Sequence, residues 1–253
     1  MIDTHCHLNH PAFAKDRSEV LKRAEQAGVE QMVVPGVNLQ GFPGQLQVAN
    51  AKTHIAFGLH PLNMADHPHD ALEQLEEWIE RSNPVAIGEI GLDYRETPQN
   101  HVRQKILFEA QLNLAKKHEL PILVHVIKAH EQTLALLRRA ELPAGGIIHS
   151  FNGSLQQAHE YIKLGFLLGF GGVATYDRAT KIRRVAAELP DSALVLESDA
   201  PDLPPIGFYG QRNEPCYMQK VVETLAELRN SAAEHIVRTT SNSAIKLLGL
   251  CRD

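Results

Sequence analysis

Short apolar runs alternate with longer amphipathic runs along the whole of this 253-residue chain. Eight of the apolar runs have the length and the branched side chains of buried strands. The predicted strands are residues 2–7, 30–36, 54–60, 85–92, 121–126, 145–151, 166–172 and 193–199. Strands that are apolar throughout and separated by helices indicate a parallel sheet with helices packed against its faces.

The segments between these strands have helical patterns. Residues 72–80 and 107–118 repeat apolar side chains at helical spacing, and residues 154–164 begin with a serine, a favourable N-cap. Eight strand–helix repeats in about 250 residues match the size of a closed (β/α)₈ barrel. We therefore predict an α/β protein with one TIM-barrel domain, residues 1–253. An open doubly wound sheet is the alternative.

Composition restricts the class of protein further. Hydrophobic residues make up 43% of the chain and charged residues 22%, as in globular proteins. The cysteines Cys6, Cys216 and Cys251 form no CxxC pair, and their odd number argues against a disulfide framework. With no charged-then-apolar leader and no apolar run of about 18 residues, we expect a cytoplasmic protein that does not enter a membrane. A net charge of −5 argues against non-specific coating of nucleic acid.

Polar residues lie at the ends of five predicted strands. In the first strand, "IDTHCH", residues two apart face the same side, so His5 and His7 point together and Cys6 points away. Active sites of barrels lie at the C-terminal ends of the strands. The strand-end candidates are His5, His7, Glu89, His125, His149 and Asp199. Four imidazoles and two carboxylates are suitable ligands for one or two divalent ions.

Seven short motifs occur in a characteristic order: "DTHCH", "GLHP", "GEIGLDY", "HSFNGS", "GFGGVATY", "ESDAP" and "QRNEP". From Asp3 to Pro215 the chain thus resembles the TatD-related metal-dependent hydrolases, which belong to the amidohydrolase-like barrels. The resemblance implies a (β/α)₈ fold, one or two divalent ions (Zn²⁺, Mg²⁺ or Mn²⁺) and phosphodiester hydrolysis, usually described as deoxyribonuclease activity. Carried over by position, the metal ligands are the same six strand-end residues.

Two of these residues are expected to have catalytic roles. Glu89 occupies the fourth-strand place where related barrels use a modified lysine to bridge two metals. Asp199 is expected to be both a ligand and a proton acceptor. DNA or another phosphodiester is the expected transient partner. The oligomeric state stays open, and a monomer is compatible with the sequence.

Several residues are candidates for substrate binding. His60 in "GLHP" ends the third strand on the active face, Arg178 and Lys181 in "RATKIRR" follow the seventh strand, and Arg212 follows the eighth. We predict that they contact substrate. For His60 and Arg212 the alternative is a structural role, and for the other two it is a solvated helix face.

The chain departs from the family pattern after the fifth strand. Relatives commonly carry an arginine two residues after the strand-5 histidine, whereas this chain has Ile127 there, followed by Lys128. Lys128 is the predicted replacement. Two other functions also stay open: hydrolysis of a small ester, lactone or amide at the same site, as in other amidohydrolase-like barrels, and a metal-dependent binding module without catalysis.

Three further acidic residues face the same side as the candidates: Asp3, Asp93 and Glu197. We expect each to support a ligand from behind, as outer carboxylates do at metal sites. The alternatives are a loop cap for Asp93 and a partner elsewhere for Glu197.

Overall fold

The computed structural model describes residues 1–95 and 97–251. In this part of the chain, eight parallel strands form one sheet in the order of the sequence. The strands are β1 (Ile2–Asp3), β2 (Gln31–Pro35), β3 (Thr53–Phe57), β4 (Ala86–Asp93), β5 (Ile122–Ile127), β6 (Gly146–Ile148), β7 (Phe166–Phe170) and β8 (Leu194–Leu196). All eight lie where the sequence predicts them, and the predicted TIM-barrel fold is confirmed.

Helices follow the strands in the expected alternation. They are α1 (Arg17–Gln26), α2 (Phe42–Val48), α3 (Ala71–Ser82), α4 (Pro98–Lys117), α5 (His130–Ala140), α6 (Leu155–Lys163), α7 (Thr180–Glu188), α8 (Met218–Arg229) and α9 (Ala233–Leu248). The helix that was predicted to begin at residue 107 begins at Pro98. The prediction missed its first turns because Val102 and Ile106 are apolar but exposed, and so they break the expected apolar spacing. The described residues also contain a ninth helix, α9, beyond the eight that were predicted.

The barrel closes where β8 meets β1. The Thr4 N–H donates to the Leu196 carbonyl at 3.0 Å, and the Asp199 N–H donates to the His5 carbonyl at 2.9 Å. After Asp3, the extended segment bonds alternately to β2 and to Leu196 and the residues that follow it, instead of forming one ladder. The strand predicted over residues 2–7 is therefore shorter, although the segment keeps its direction.

Helix α9 seals the N-terminal end of the barrel. Apolar side chains from seven strands meet inside it and pack against two residues of α9: Ile2, Val33, Ala56, Ala86, Leu123, Ile147, Val195, Ala244 and Leu248. Cys6 is buried in the outer layer between strands and helices, as predicted. The cleft described below therefore lies at the C-terminal ends of the strands. Within the two described ranges, no helix combines the length and apolarity needed to span a membrane.

Candidate metal centre

A cleft of about 420 Å³ lies at the C-terminal ends of the strands. Five of the six predicted ligands line it: His7, Glu89, His125, His149 and Asp199. The sixth, His5, is buried beneath them, with its Nε2 atom 3.1 Å from Glu89 Oε2. The structure thus brings together the six side chains that the sequence selected from five separate strands.

Glu89, on β4, contacts two different groups of histidines. Its Oε2 atom lies 3.1 Å from His5 Nε2 and 3.9 Å from His7 Nε2. Its Oε1 atom lies 3.0 Å from His125 Nδ1 and 3.4 Å from His60 Nε2. Burial opposes ionisation of this carboxyl, but the surrounding histidines outweigh burial and hold its pKa well below the ordinary value. Glu89 is therefore an ionised carboxylate with one oxygen directed at each group.

Asp199 follows β8 and directs one oxygen at three imidazoles. Its Oδ1 atom lies 3.5 Å from His149 Nε2, 3.7 Å from His7 Nε2 and 3.9 Å from His5 Nε2. Burial again opposes ionisation, and the neighbouring histidines, His149 above all, overcome it and lower the pKa of Asp199. This carboxylate is also ionised at neutral pH.

Two of the imidazoles are held from behind by carboxylates. Glu197 Oε2 lies 3.1 Å from His149 Nδ1, and Asp93 Oδ2 lies 2.9 Å from His125 Nε2. Such outer carboxylates fix the orientation and tautomer of metal-binding histidines. At Gly169, a Cβ atom would lie 2.2 Å from Glu197 Oε2, so glycine leaves the space that this carboxylate occupies.

Asp3 is buried in the barrel and connects the segment that follows β1 to the segment that follows β8. Its Oδ1 atom accepts from the backbone N–H groups of His5 at 3.2 Å and Ser198 at 2.9 Å. Burial raises the pKa of Asp3 to about 7, although these bonds favour the ionised form. Asp3 therefore fixes the backbone of His5, and its contact with this ligand candidate is to the backbone N–H and not to the imidazole ring.

The donor set fits a divalent ion. Atoms of His5, His7 and Asp199 lie within 4.8 Å of one another, and atoms of Glu89 and His125 lie equally close together, with His60 beside them. Imidazole nitrogen and carboxylate oxygen are established ligands of Zn²⁺ and related ions. Burial, together with the nearby His5, lowers the pKa of His7 to about 4, so its ring is neutral and available at pH 7.

His60 has a different bonding pattern from the other imidazoles. Its Nδ1 atom accepts from the Leu62 N–H at 3.1 Å, so a neutral ring carries its proton on Nε2. Burial lowers the pKa of His60, which favours that neutral form. The Nε2–H group, 3.4 Å from Glu89 Oε1, is therefore a hydrogen-bond donor rather than a metal ligand. This geometry suits the substrate contact that the sequence suggests, which stays a prediction.

The other predicted substrate contacts lie outside the cleft wall. Lys128, Arg178 and Lys181 are exposed, and none is among the described residues that line the cleft. Contact of these three side chains with substrate at the rim, the surface around the mouth of the cleft, stays a prediction.

Arg212 is held by its own network of ion pairs. It lies 2.7 Å from both Asp16 Oδ2 and Glu214 Oε1, and it covers the Phe13 ring at 4.7 Å. Like the three rim cations, it is absent from the described lining of the cleft. These contacts favour the structural alternative for Arg212.

Arg95, for which the sequence suggested no role, lines the cleft two residues beyond Asp93. Its Nε atom lies 3.0 Å from Asp93 Oδ1. The available signal was the position of Arg95 immediately after β4, on the face of the barrel where strand ends carry function. The motif "GEIGLDY" ends at Tyr94, and extending it by one residue includes Arg95.

Comparison with known proteins agrees with this architecture. The model of the TatD related DNase family matches residues 2–249, and the chain belongs to this family of metal-dependent hydrolases. An uncharacterized metal-dependent hydrolase of Escherichia coli K12, YjjV, is 41% identical over 253 residues, covering 98% of both chains. The crystal structure of YjjV, described as a TatD homolog, superposes with a TM-score of 0.95 at 40% identity, covering 99% of this chain and 98% of YjjV.

A second relative has a more specific name. The 3′–5′ ssDNA/RNA exonuclease TatD of Pantoea ananatis is 32% identical over 260 residues, covering 99% of this chain and 100% of that protein. The predicted resemblance to TatD-related hydrolases is confirmed.

Proposed function

We propose that this protein is a divalent-metal-dependent phosphodiesterase that acts on DNA. The observation that carries the proposal is the placement of Glu89, whose two oxygens face separate groups of histidines in one cleft. A carboxylate placed between two groups of histidines would help to hold two divalent ions in one cleft. The relative named as a ssDNA/RNA exonuclease supports a nucleic-acid substrate.

In this proposal the metal ligands are His5, His7, Glu89, His125, His149 and Asp199. Divalent ions bound there would lower the pKa of water and stabilise negative charge on the phosphate oxygens. The outer carboxylates Asp93 and Glu197 would keep the His125 and His149 rings in their orientations.

The protein's own side chains then account for proton transfer and binding. Asp199 is ionised and lines the cleft, so it is placed to accept the proton of the attacking water. The Nε2–H group of His60 would donate to a phosphate oxygen. Lys128, Arg178 and Lys181 would attract the polyanion toward the rim, since the net charge of −5 opposes its approach.

The apolar part of the cleft wall favours the alternative class of substrate, a small ester, lactone or amide. Apolar side chains line it beside the polar centre, and two of them, Leu62 and Leu203, are 45% and 42% exposed. Such a wall suits the apolar part of a small ester, lactone or amide. The metal centre would serve that reaction equally well.

The test separates these substrates. The protein is stripped with a chelator, reloaded with Zn²⁺, Mn²⁺ or Mg²⁺, and incubated with end-labelled single-stranded DNA, RNA of the same sequence, and a panel of esters, lactones and amides. We expect DNA cleavage that depends on added metal and is lost in Asp199→Asn. Efficient turnover of a panel member with no cleavage of DNA would replace this proposal with the alternative.

A further inference from the structure

We propose that Arg95 binds the substrate phosphate next to the one that is cleaved. The inference rests on the proposed phosphodiesterase function and names a contact that this function requires. Among the described residues that line the cleft, Arg95 is the one lysine or arginine. The same wall contains the carboxylates Glu89, Asp199 and Asp202. A polyanion inside this cleft therefore meets one guanidinium.

The Asp93–Arg95 ion pair has a defined direction. Asp93 is completely buried, whereas the Arg95 side chain is 53% exposed. Arg95 Nε lies 3.0 Å from Asp93 Oδ1 and 3.1 Å from Oδ2, and the Arg95 backbone N–H also donates to Oδ1 at 3.0 Å. The buried carboxylate fixes the guanidinium, and the positive end of the pair is the end that reaches the cleft. A guanidinium held in place binds phosphate with a smaller loss of entropy.

Arg95 is connected to Glu89 through a chain of side-chain contacts. Glu89 Oε1 contacts His125 Nδ1 at 3.0 Å, and His125 Nε2 contacts Asp93 Oδ2 at 2.9 Å. Two side chains, His125 and Asp93, thus lie between Glu89 and Arg95. A phosphate held at Glu89 would leave Arg95 to the next phosphate along the strand.

The neighbouring strand provides no charge at this point. Asp93 on β4 pairs with Ile127 on β5, and the Tyr94 N–H donates to the Ile127 carbonyl at 2.9 Å. Ile127 lines the cleft with an apolar side chain, and Lys128 beyond it is absent from the described lining. Arg95 therefore supplies the positive charge on this side of the cleft.

The test compares dinucleotides that differ by one phosphate. The substrates are TpT, which has only the scissile phosphodiester, and the same dinucleotide with a terminal phosphate on its 5′ or 3′ side. For the wild-type protein we expect a terminal phosphate on one side to lower KM about tenfold, as for a charge-assisted contact. In Arg95→Ala this ratio should fall to about one, whatever the change in TpT cleavage itself. Arg95→Lys should keep part of the ratio.

A matched control is Arg139→Ala, which removes an exposed arginine paired with Glu109 outside the cleft. It should keep the full ratio. A ratio that persists in Arg95→Ala, with cleavage of all three substrates reduced equally, would mean that Arg95 only supports His125 through Asp93. A wild-type protein that gains nothing from either terminal phosphate would also overturn the inference. Failure of the wild-type protein to cleave single-stranded DNA in the same assay would overturn the proposed function itself.

Discussion

Glu197 lies directly behind His149, with its Oε2 atom 3.1 Å from His149 Nδ1. The other carboxylate oxygen accepts from the Ser150 N–H at 2.6 Å, so Glu197 is held on both sides. The contact turns His149 Nε2 toward Asp199, 3.5 Å away. A buried residue that is absent from the described cleft lining therefore determines the direction of one ligand candidate.

Replacing Glu197 with glutamine should weaken metal binding. The amide keeps the shape of the side chain but loses the charge that favours an Nδ1–H tautomer of His149. We expect the metal Kd to rise about 10–100-fold, as for other outer carboxylates, in calorimetric titration with Zn²⁺ or Mn²⁺. Glu214→Gln, which removes a carboxylate that contacts Arg23 and Arg212, is the control and should keep the affinity. An unchanged Kd in Glu197→Gln would remove this role from Glu197.

Asp199→Asn should separate metal binding from turnover. The amide keeps one coordinating oxygen and removes the proton-accepting charge. We expect the metal to be retained at least in part and kcat to fall about 10²–10⁴-fold, the range for loss of a general base. The measurements are elemental analysis of the purified variant and its turnover of bis(p-nitrophenyl) phosphate. Activity within a few-fold of wild type would reduce Asp199 to a structural residue.

Arg178, just before α7, and Lys181, in its first turn, should matter more for DNA than for a small substrate. Phosphate contacts position a nucleic acid without reading its sequence. Arg178→Ala combined with Lys181→Ala should raise KM for single-stranded DNA several-fold, more than for bis(p-nitrophenyl) phosphate, and reduce the salt slope of binding by about one per contact. Arg184→Ala is the matched control on α7, the helix that carries Lys181, because Arg184 is exposed and paired with Glu188. Equal effects on both substrates would mean that Arg178 and Lys181 support the metal site or the fold and do not bind DNA.

Arg212→Ala should act on stability instead of binding. The guanidinium joins Asp16 to Glu214, two segments far apart in the chain, and its loss leaves Glu214 with one fewer partner. We expect a lower Tm in thermal unfolding, with KM for single-stranded DNA close to wild type. A raised KM at unchanged Tm would restore the substrate role that the sequence suggested.

The strands and the six strand-end residues were accessible from sequence for one physical reason. Parallel strands are buried on both faces, so their apolar runs are continuous, and a polar residue at a strand end stands out. His5 and Asp199 could thus be placed in one cleft although 194 positions separate them (199 − 5).

The remaining features depend on contacts that no spacing encodes. The Arg212 partner Asp16 is 196 residues away in the chain. The donor role of His60 follows from the Leu62 N–H, a bond that exists only in the folded turn. The orientation of Arg95 depends on the buried carboxylate of Asp93, which contacts both Arg95 and His125.

The most direct test of the central claim is the metal content of His5→Ala/His7→Ala, measured by elemental analysis together with cleavage of single-stranded DNA. The control is His69→Ala/His159→Ala, which removes two exposed histidines outside the cleft. We predict that the wild-type protein and the control bind at least one divalent ion per chain and cleave DNA, and that the His5/His7 variant loses bound metal and cleavage together. A folded His5/His7 variant with wild-type metal content would contradict the account.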